Sequence, residues 1–483
     1  IGFTRFELPG RNFYDIIHVS NKYFPDLVEM KLNGKTREWD KSISPLMPES
    51  CSPRAELSQD AAISDTASSP RLVRVEVSLL KGVNGCTIEA YEGWAIVLGS
   101  GLAVIGREAV PHMFCEVTVL VGLTRTPAEI KFLHPRHGYA IIGYGSHPGH
   151  NAELSDVHAQ RGDVLNFIGY NGIGEIIEST VTVAQIRATV PERRILAPAY
   201  TLTNCEELVV SSVQPFKKCN HGVFLGRNDQ IQALWLSYNG HKSATAICAS
   251  ELWPAVKLIQ GEMRSMKDLG VEFSRMPLIK ASDSGVSQER VSDAQKAAQT
   301  HLFTVKFTTA GNEGDGASRL QEGDIILELE GKWFPSRQSL ANISEDVVTA
   351  TIVRAAREMQ IRFASVDMSA TETNHVINYE GAILQKPPLA VREQVSELPS
   401  EVYVPYVSPG SLAEHWVLPE SVFITHFNDQ PLKSLNDFTR YVKGLPPGGT
   451  FLYIYYSSRL TQHRIHRNHS EAKRLRIKAV HEE

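Results

Sequence analysis

At 483 residues the chain exceeds a single domain of roughly 100 to 200 residues, so three or so separately cored units are expected. A composition of 42% hydrophobic and 21% charged residues is that of an ordinary globular protein, and a formal net charge of -5 gives no electrostatic reason for nucleic-acid binding. The six cysteines, Cys51, Cys86, Cys115, Cys205, Cys219 and Cys248, are scattered without a Cys-x-x-Cys pair, which suits neither a disulfide framework nor a thiolate zinc site and favours a reducing compartment.

In chain order, residues 1–40 carry strand-like pieces such as 13–19, and 42–70 turn rich in Ser, Pro, Ala and acidic residues, the signature of a linker. Beyond it a two-residue period is strong. Val73, Val75 and Val77 alternate with Arg74, Glu76 and Ser78, Val117, Val119 and Val121 repeat the pattern, and residues 128–132 and 180–183 continue it. With one helical stretch near 249–263, this predicts an all-β barrel domain closed by a helix. The longest uncharged apolar run, 93–106, is shorter than the roughly 20 residues a bilayer-crossing helix needs, so no membrane span is expected. The start at Ile1, without a signal-like segment, reads as a fragment whose targeting information lies upstream.

The remainder alternates strands with helical pieces in two blocks joined near 369–374. Glu322, Gly323 and Asp324 feed an apolar strand in the first block and residues 422–428 form one in the second, each followed by an amphipathic helix, at 336–343 and 434–442. That is a weak internal repeat of two α+β modules.

Three local patterns invite functional readings. His134 and His137, like His147 and His150, have His-x-x-His spacing, but Pro135 and Pro148 keep either pair off a helix that would aim both rings at one ion, so surface turn histidines are favoured over metal. Residues 169–174 are Gly-rich but lead into the strand-like Glu175, Ile176 and Ile177, which favours a hairpin turn over a phosphate loop. The basic tail around Arg464, Arg467, Lys473, Arg474, Arg476 and Lys478 reads as a solvated terminal segment.

Several motifs in order resemble the large tandem HtrA/DegP-type serine proteases of fungi and plants. They are residues 132–142, Cys219 to Gly222, residues 233–236, and Gly381 to Pro387 leading to Ala390, Val391 and Arg392. The resemblance runs from about Arg71 to Tyr456. It implies a mainly β chain, a degenerate chymotrypsin-like double β-barrel followed by two α+β PDZ-like domains, and an active protease half upstream in the same polypeptide. The implied boundaries are 1–41 for the tail of a preceding PDZ-like domain, 42–70 for a linker and 71–261 for the protease-like domain. The PDZ-like domains follow at 262–367 and 368–470, and a basic tail at 471–483.

Serine-protease chemistry needs a hydroxyl nucleophile, an imidazole base and a carboxylate that orients it, with backbone N–H groups for the oxyanion. The family's histidine falls on Ala109, its aspartate on Gly138 and its serine on His221, while Val223 replaces a loop glycine. The expectation is a non-catalytic, regulatory half of an HtrA-type endopeptidase. Cys219 stands where the family contributes backbone, which argues against a substitute nucleophile; the alternative is an active endopeptidase using unidentified residues. A turn kept by Gly222 is expected to preserve a backbone pocket.

The PDZ-like modules are expected to add extended peptides, or unfolded protein segments, beside a sheet edge. Leu269, Gly270, Val271 and Phe273 resemble the binding loop and strand of the first module, with Leu340 on the facing helix. Gly381, Ala382, Ile383 and Leu384, with Phe438, take those places in the second. No cofactor or metal is expected, a homo-oligomer is expected, and the resemblance favours nucleus or cytoplasm over plastid.

Overall fold

A computed structural model describes residues 71–188, 206–211, 219–236, 245–308, 319–333, 340, 343–368, 372–392 and 398–444 apart from short interruptions, with strands at 19–20, 27–31, 450–451, 453–457 and 473–476. The chain is mainly β. Two strands precede the first barrel, β1 (Val19–Ser20) and β2 (Leu27–Lys31).

The first barrel contains β3 (Leu72–Leu79), β4 (Ala90–Gly99), β5 (Leu102–Gly106), β6 (Cys115–Val121), β7 (Thr124–Leu133) and β8 (Tyr139–Gly143), closed in the order β3-β4-β5-β8-β7-β6. Its strands obey the alternation read from the sequence: Val73, Val75 and Val77 are buried while Ser78 is exposed. Strand β5 breaks that alternation and is buried on both faces. The second barrel contains β9 (Val164–Asn171), β10 (Ile176–Ala188), β11 (Glu206–Ser211), β12 (Cys219–Leu225), β13 (Ile231–Leu236) and β14 (Thr245–Cys248), closed in the order β10-β11-β14-β13-β12-β9. Strands β9 and β10 pair antiparallel, with Tyr170 opposite Ile176 and Gly169 opposite Ile177. Trp94 and Tyr170 stack at 3.6 Å across the two barrels. The helical stretch near 249–263 resolves into a 3-10 turn at Ala249–Glu251 and α1 (Trp253–Gln260), which Gly261 ends in the left-handed conformation at φ 79. Two closed barrels and a terminal helix make this a chymotrypsin-like double β-barrel.

The next module contains β15 (Lys267–Asp268), β16 (Val271–Pro277), α2 (Leu278–Asp283), α3 (Gln288–Lys296), β17 (His301–Thr308), β18 (Ile325–Leu329), β19 (Lys332–Trp333), β20 (Val347–Arg354), β21 (Arg357–Ala364) and β22 (Val366–Asp367). Its sheet runs β16-β17-β18-β20-β21, so β16 and β21 are edges. The helix expected at 336–343 lies outside the described residues apart from Leu340 and Ile343, both buried in this module's core.

The last module contains β23 (His375–Tyr379), β24 (Ala382–Gln385), α4 (Leu389–Arg392), β25 (Tyr403–Val407), α5 (Leu412–His415), β26 (Val422–Phe427), β27 (Gln430–Pro431), α6 (Leu435–Lys443), β28 (Thr450–Phe451), β29 (Tyr453–Ser457) and β30 (Lys473–Arg476). Helix α6 starts where its cap predicts, the Ser434 hydroxyl accepting from Asp437 N–H at 3.2 Å. The sheet order is β2-β23-β24-β25-β26-β29-β30.

Two expectations change at its margins. Part of the basic tail, Lys473–Arg476, is an edge strand on β29, because main-chain pairing outweighs the charge of its side chains. The segment 1–41 contributes β1 to β28 and β2 to β23, so its described strands belong to the sheets of this last module. Among the described residues no helix is long and apolar enough to cross a membrane.

Candidate functional site

The structure brings Ala109, Gly138 and His221 to one turn at the seam of the barrels. Ala109 N–H donates to Gly106 O at 3.0 Å and Arg107 N–H to Gly138 O at 2.9 Å. From β12, the His221 ring reaches the same place: its Nε2 accepts from Gly106 N–H at 3.3 Å, and its Nδ1 is 3.2 Å from the Tyr91 hydroxyl. An Nε2 that accepts carries no proton, so the neutral ring holds its proton on Nδ1 and donates to Tyr91. Burial pushes the imidazole down to about 4, which keeps it in that neutral form. The ring is 3% exposed, so the seam is closed over it.

The expected turn at residues 220–222 is absent. Residues Cys219–Leu225 form one strand, β12, paired with β9 on one side and β13 on the other. Gly222 is retained for packing: a Cβ there would lie 2.4 Å from the Phe167 ring. Cys219 is buried and its thiol is pushed up to about 11 by that burial, so no thiolate nucleophile forms near neutrality.

His134 and His137 are buried turn residues, which corrects the surface reading. Each is 5% exposed, and their rings stack at 3.9 Å. Nδ1 of His134 accepts the backbone N–H groups of Arg136 and His137 at 3.1 and 2.9 Å, so this imidazole caps its own turn. Burial, then the neighbouring His137, Arg107 and Arg136, holds it well below the ordinary histidine range. Sequence could not foresee this, because Pro135 marks the turn but not what covers it. His147 and His150 lie outside the described residues. Among the described residues no cluster of three or more His, Cys, Asp or Glu is arranged to hold a metal ion.

The arginines beside these histidines reach into both modules. Arg107, with a fully buried side chain, forks onto Glu372 at 2.7 and 3.1 Å and donates to the carbonyls of His134 and Pro111. Arg136 lies 3.3 Å from Asp268 at the entry to the first module. There Asp268 Oδ1 accepts Gly270 N–H at 2.6 Å, and Gly270 holds φ +66. A cavity opens at this point, lined by Leu269, Phe273, Phe303 and Leu340 together with Arg136 and His137 of the barrel. Val271 begins the adjoining edge strand β16. The sequence-derived residues Leu269, Gly270, Val271, Phe273 and Leu340 are thus together. Phe303 and the two barrel residues were missed; only the apolar alternation of β17 pointed toward Phe303.

The second module corrects its expected site. Ala382, Ile383 and Leu384, preceded by Gly381 at φ +89, lie in β24, which is paired with β23 on one side and β25 on the other. Strand β24 itself has no free edge for an added peptide, because the chain's own strand His375–Tyr379 occupies it. The Tyr379 ring meets Phe438 of α6 edge-on at 5.5 Å. This module is further interlocked with the first barrel: Asn84 N–H donates to Gln385 Oε1 at 2.8 Å, and Gln385 Nε2 and the Thr373 hydroxyl donate to Asn84 Oδ1 at 2.6 and 2.8 Å.

No family model matches the chain. Curated relatives do. The chain is 32% identical over 378 residues to the pro-apoptotic serine protease NMA111 of Pyricularia oryzae, covering 74% of this chain and 37% of the relative. It is 29% identical over 462 residues to the NMA111 of Lodderomyces elongisporus, covering 90% and 47%. With that of Chaetomium globosum the figures are 30% over 465 residues, 90% and 45%. The chain therefore spans less than half the length of these relatives. Among solved structures, the HtrA-type protease AlgW with tripeptide aligns at TM-score 0.42 and 15% identity, over 62% of this chain and 94% of that one. The active form of the Rv3671c protease of M. tuberculosis aligns at 0.32 and 16%, over 39% and 79%.

Proposed function

Because this chain belongs to the HtrA/DegP-type serine protease family, we propose that it is a non-catalytic, regulatory half of such an endopeptidase, a protease-shaped scaffold with PDZ-like modules. The observation that carries the reading is the seam at Gly106. Ala109, Gly138 and His221 converge there as the three triad positions would, yet the site holds a methyl group, a bare backbone and a buried neutral imidazole. None is a hydroxyl nucleophile or an orienting carboxylate, and Cys219–Leu225 is paired as a strand with both β9 and β13.

In this reading residues 71–261 are the degenerate protease domain, and 262–367 and 368–470 are PDZ-like domains. The active protease half lies elsewhere in the same polypeptide, and the assembly is a homo-oligomer. Peptides or unfolded segments bind the first module, where β16 offers an edge beside the apolar cavity, and the second module serves as a structural clamp. The test is labelling of the purified chain by a fluorophosphonate, together with casein turnover. No labelling and no turnover are expected. Stoichiometric labelling that survives Cys219→Ala with His221→Ala would establish the rival reading, an active endopeptidase using a serine elsewhere.

A further inference from the structure

The sheet of the first module has a second edge, β21, on the side away from β16. Strand β21 returns from β20 through a two-residue turn, Ala355 and Ala356 at φ 49 and 60, with Arg354 opposite Arg357. A turn of that kind makes its flanking residues a hydrogen-bonded pair, and the pattern alternates from there. Arg357, Met359, Ile361 and Phe363 therefore direct their N–H and C=O groups to β20, whereas those of Glu358, Gln360 and Arg362 point outward. The side chains of the same three residues are exposed, while Ile361 and Phe363 are buried on the opposite face. Among the described residues no strand pairs with this outer side.

We propose that β21 pairs antiparallel with β21 of a second copy of this chain, about a twofold axis through Gln360. The proposal rests on the homo-oligomer reading and names its interface. In this register Gln360 faces Gln360, and Glu358 of each copy faces Arg362 of the other. The outward N–H and C=O groups of all three then find partners, and two opposite-charge pairs form. On the other face Met359, 39% exposed, meets Ile361 of the second copy at the closer, non-hydrogen-bonded spacing. Charge order selects the occupant. A lysine-bearing edge repels a copy of itself, but residues 358–362 run from acid to base and are complementary to their own reverse. Arg290 of α3 donates to Glu358 at 3.1 Å, which fixes the carboxylate before pairing. It also places α3 near one end of β21, so the twofold sends the helix of the second copy to the other end. Both copies keep β16 open, and the pair presents two of the edges proposed for peptides on one continuous sheet.

The test is sedimentation equilibrium of the full chain from about 1 to about 100 μM, the range of a weak, strand-sized interface. The wild type is expected to self-associate. Arg362→Glu sets two like-charge pairs across the axis, and Gln360→Pro removes an outward donor from each copy without touching a bond to β20. Each is expected to weaken association by about tenfold or more, because symmetry counts every change twice. Glu358→Arg is expected to dissociate alone, and an equimolar mixture with Arg362→Glu to associate again, since the mixed pair is complementary at both ends. Thermal unfolding checks each variant, and Gln360→Pro with Arg362→Glu carry the test if Glu358→Arg, which also deprives Arg290 of its partner, does not fold. Folded variants that associate as the wild type does overturn this interface while leaving the homo-oligomer intact. A mixture of folded charge variants that stays dissociated overturns the register. A wild type that is monomeric throughout overturns both proposals.

Discussion

The Tyr91 hydroxyl stands 3.2 Å from Nδ1 of His221 across the seam between the barrels, and the opposite ring nitrogen accepts the N–H of Gly106. The imidazole is therefore held between two partners that require it neutral. Protonating Nε2 would set one N–H against another.

Acid should weaken the fold through this residue. The folded pKa, about 4, lies below the ordinary 6.5, so the unfolded chain binds the proton first as pH falls. The stabilisation is complete above about 6.5 and is lost toward about 4, at a cost of about 3 kcal/mol. His134 shifts in the same direction and adds to the loss. His221→Gln, whose amide oxygen still accepts from Gly106, should flatten the slope by about one proton. Urea denaturation midpoints across that pH window measure it, and an unchanged slope would remove His221 from the account.

Rebuilding the triad by Ala109→His, Gly138→Asp and His221→Ser should give no efficient enzyme. Ala109 is 1% exposed, so an imidazole there would have to be packed inside a closed core, and Gly138 holds φ +68, strained for aspartate. Strand β12 pairs His221 with Leu236 and Gly222 with Trp235, and the loss of one oxyanion donor alone costs about 100- to 1000-fold in turnover. Ester hydrolysis by the triple variant near that of an active family member would show that β12 can unzip.

Removing Glu372 should destabilise a distant barrel. It is the carboxylate partner of Arg107, whose side chain is fully buried, and breaking a buried pair from one side costs about 3–5 kcal/mol. Glu372→Ala should show that loss in denaturant titration and speed proteolysis between barrel and second module. A change below about 1 kcal/mol, as for an exposed pair, would contradict the structure.

Phe438→Ala should lower stability by about 3–5 kcal/mol without altering peptide affinity. Its ring packs edge-on against Tyr379 of the occupying strand, and so contributes to a core with no open groove. Weaker peptide binding by the folded variant would reopen the second module as a receptor.

Adding one carbon at Gly222 should cost about 1–3 kcal/mol, because a Cβ there falls 2.4 Å from the Phe167 ring and 2.9 Å from Ile168 O. Gly222→Ala with Phe167→Leu should recover part of the loss if ring contact is the cause. Calorimetry on the single and double variants measures it.

The barrels were legible because Val73, Val75 and Val77 repeat with a period that a strand imposes on any sequence. So was the start of α6, since Ser434 and Asp437 carry the cap locally. The fate of the histidines was not legible. The His134 carbonyl accepts from Arg107, which also binds Glu372, 265 positions along the chain, and nothing near Pro135 encodes that distance. Strand β24 looked like a peptide edge for the same reason: Gly381 marks the turn before it, but whether its neighbour is a ligand or His375–Tyr379 depends on where the linker is pinned. Motif order located the vacant triad positions. It could not show that the loop around His221 had become a paired strand.

The pairing of β2 with β23 joins Leu27 to Tyr379 and Lys31 to His375. On a ribosome adding about 5–20 residues per second, the earlier strand waits roughly 20–70 s for its partner to be made. Throughout that time its hydrogen-bonding groups are open to chaperones or to other nascent chains. The link is the most non-local in the sheet and carries the largest loop-closure entropy, so it should close after the two barrels have formed. An early strand whose partner is made so much later makes this pairing a record that synthesis has run past Tyr379.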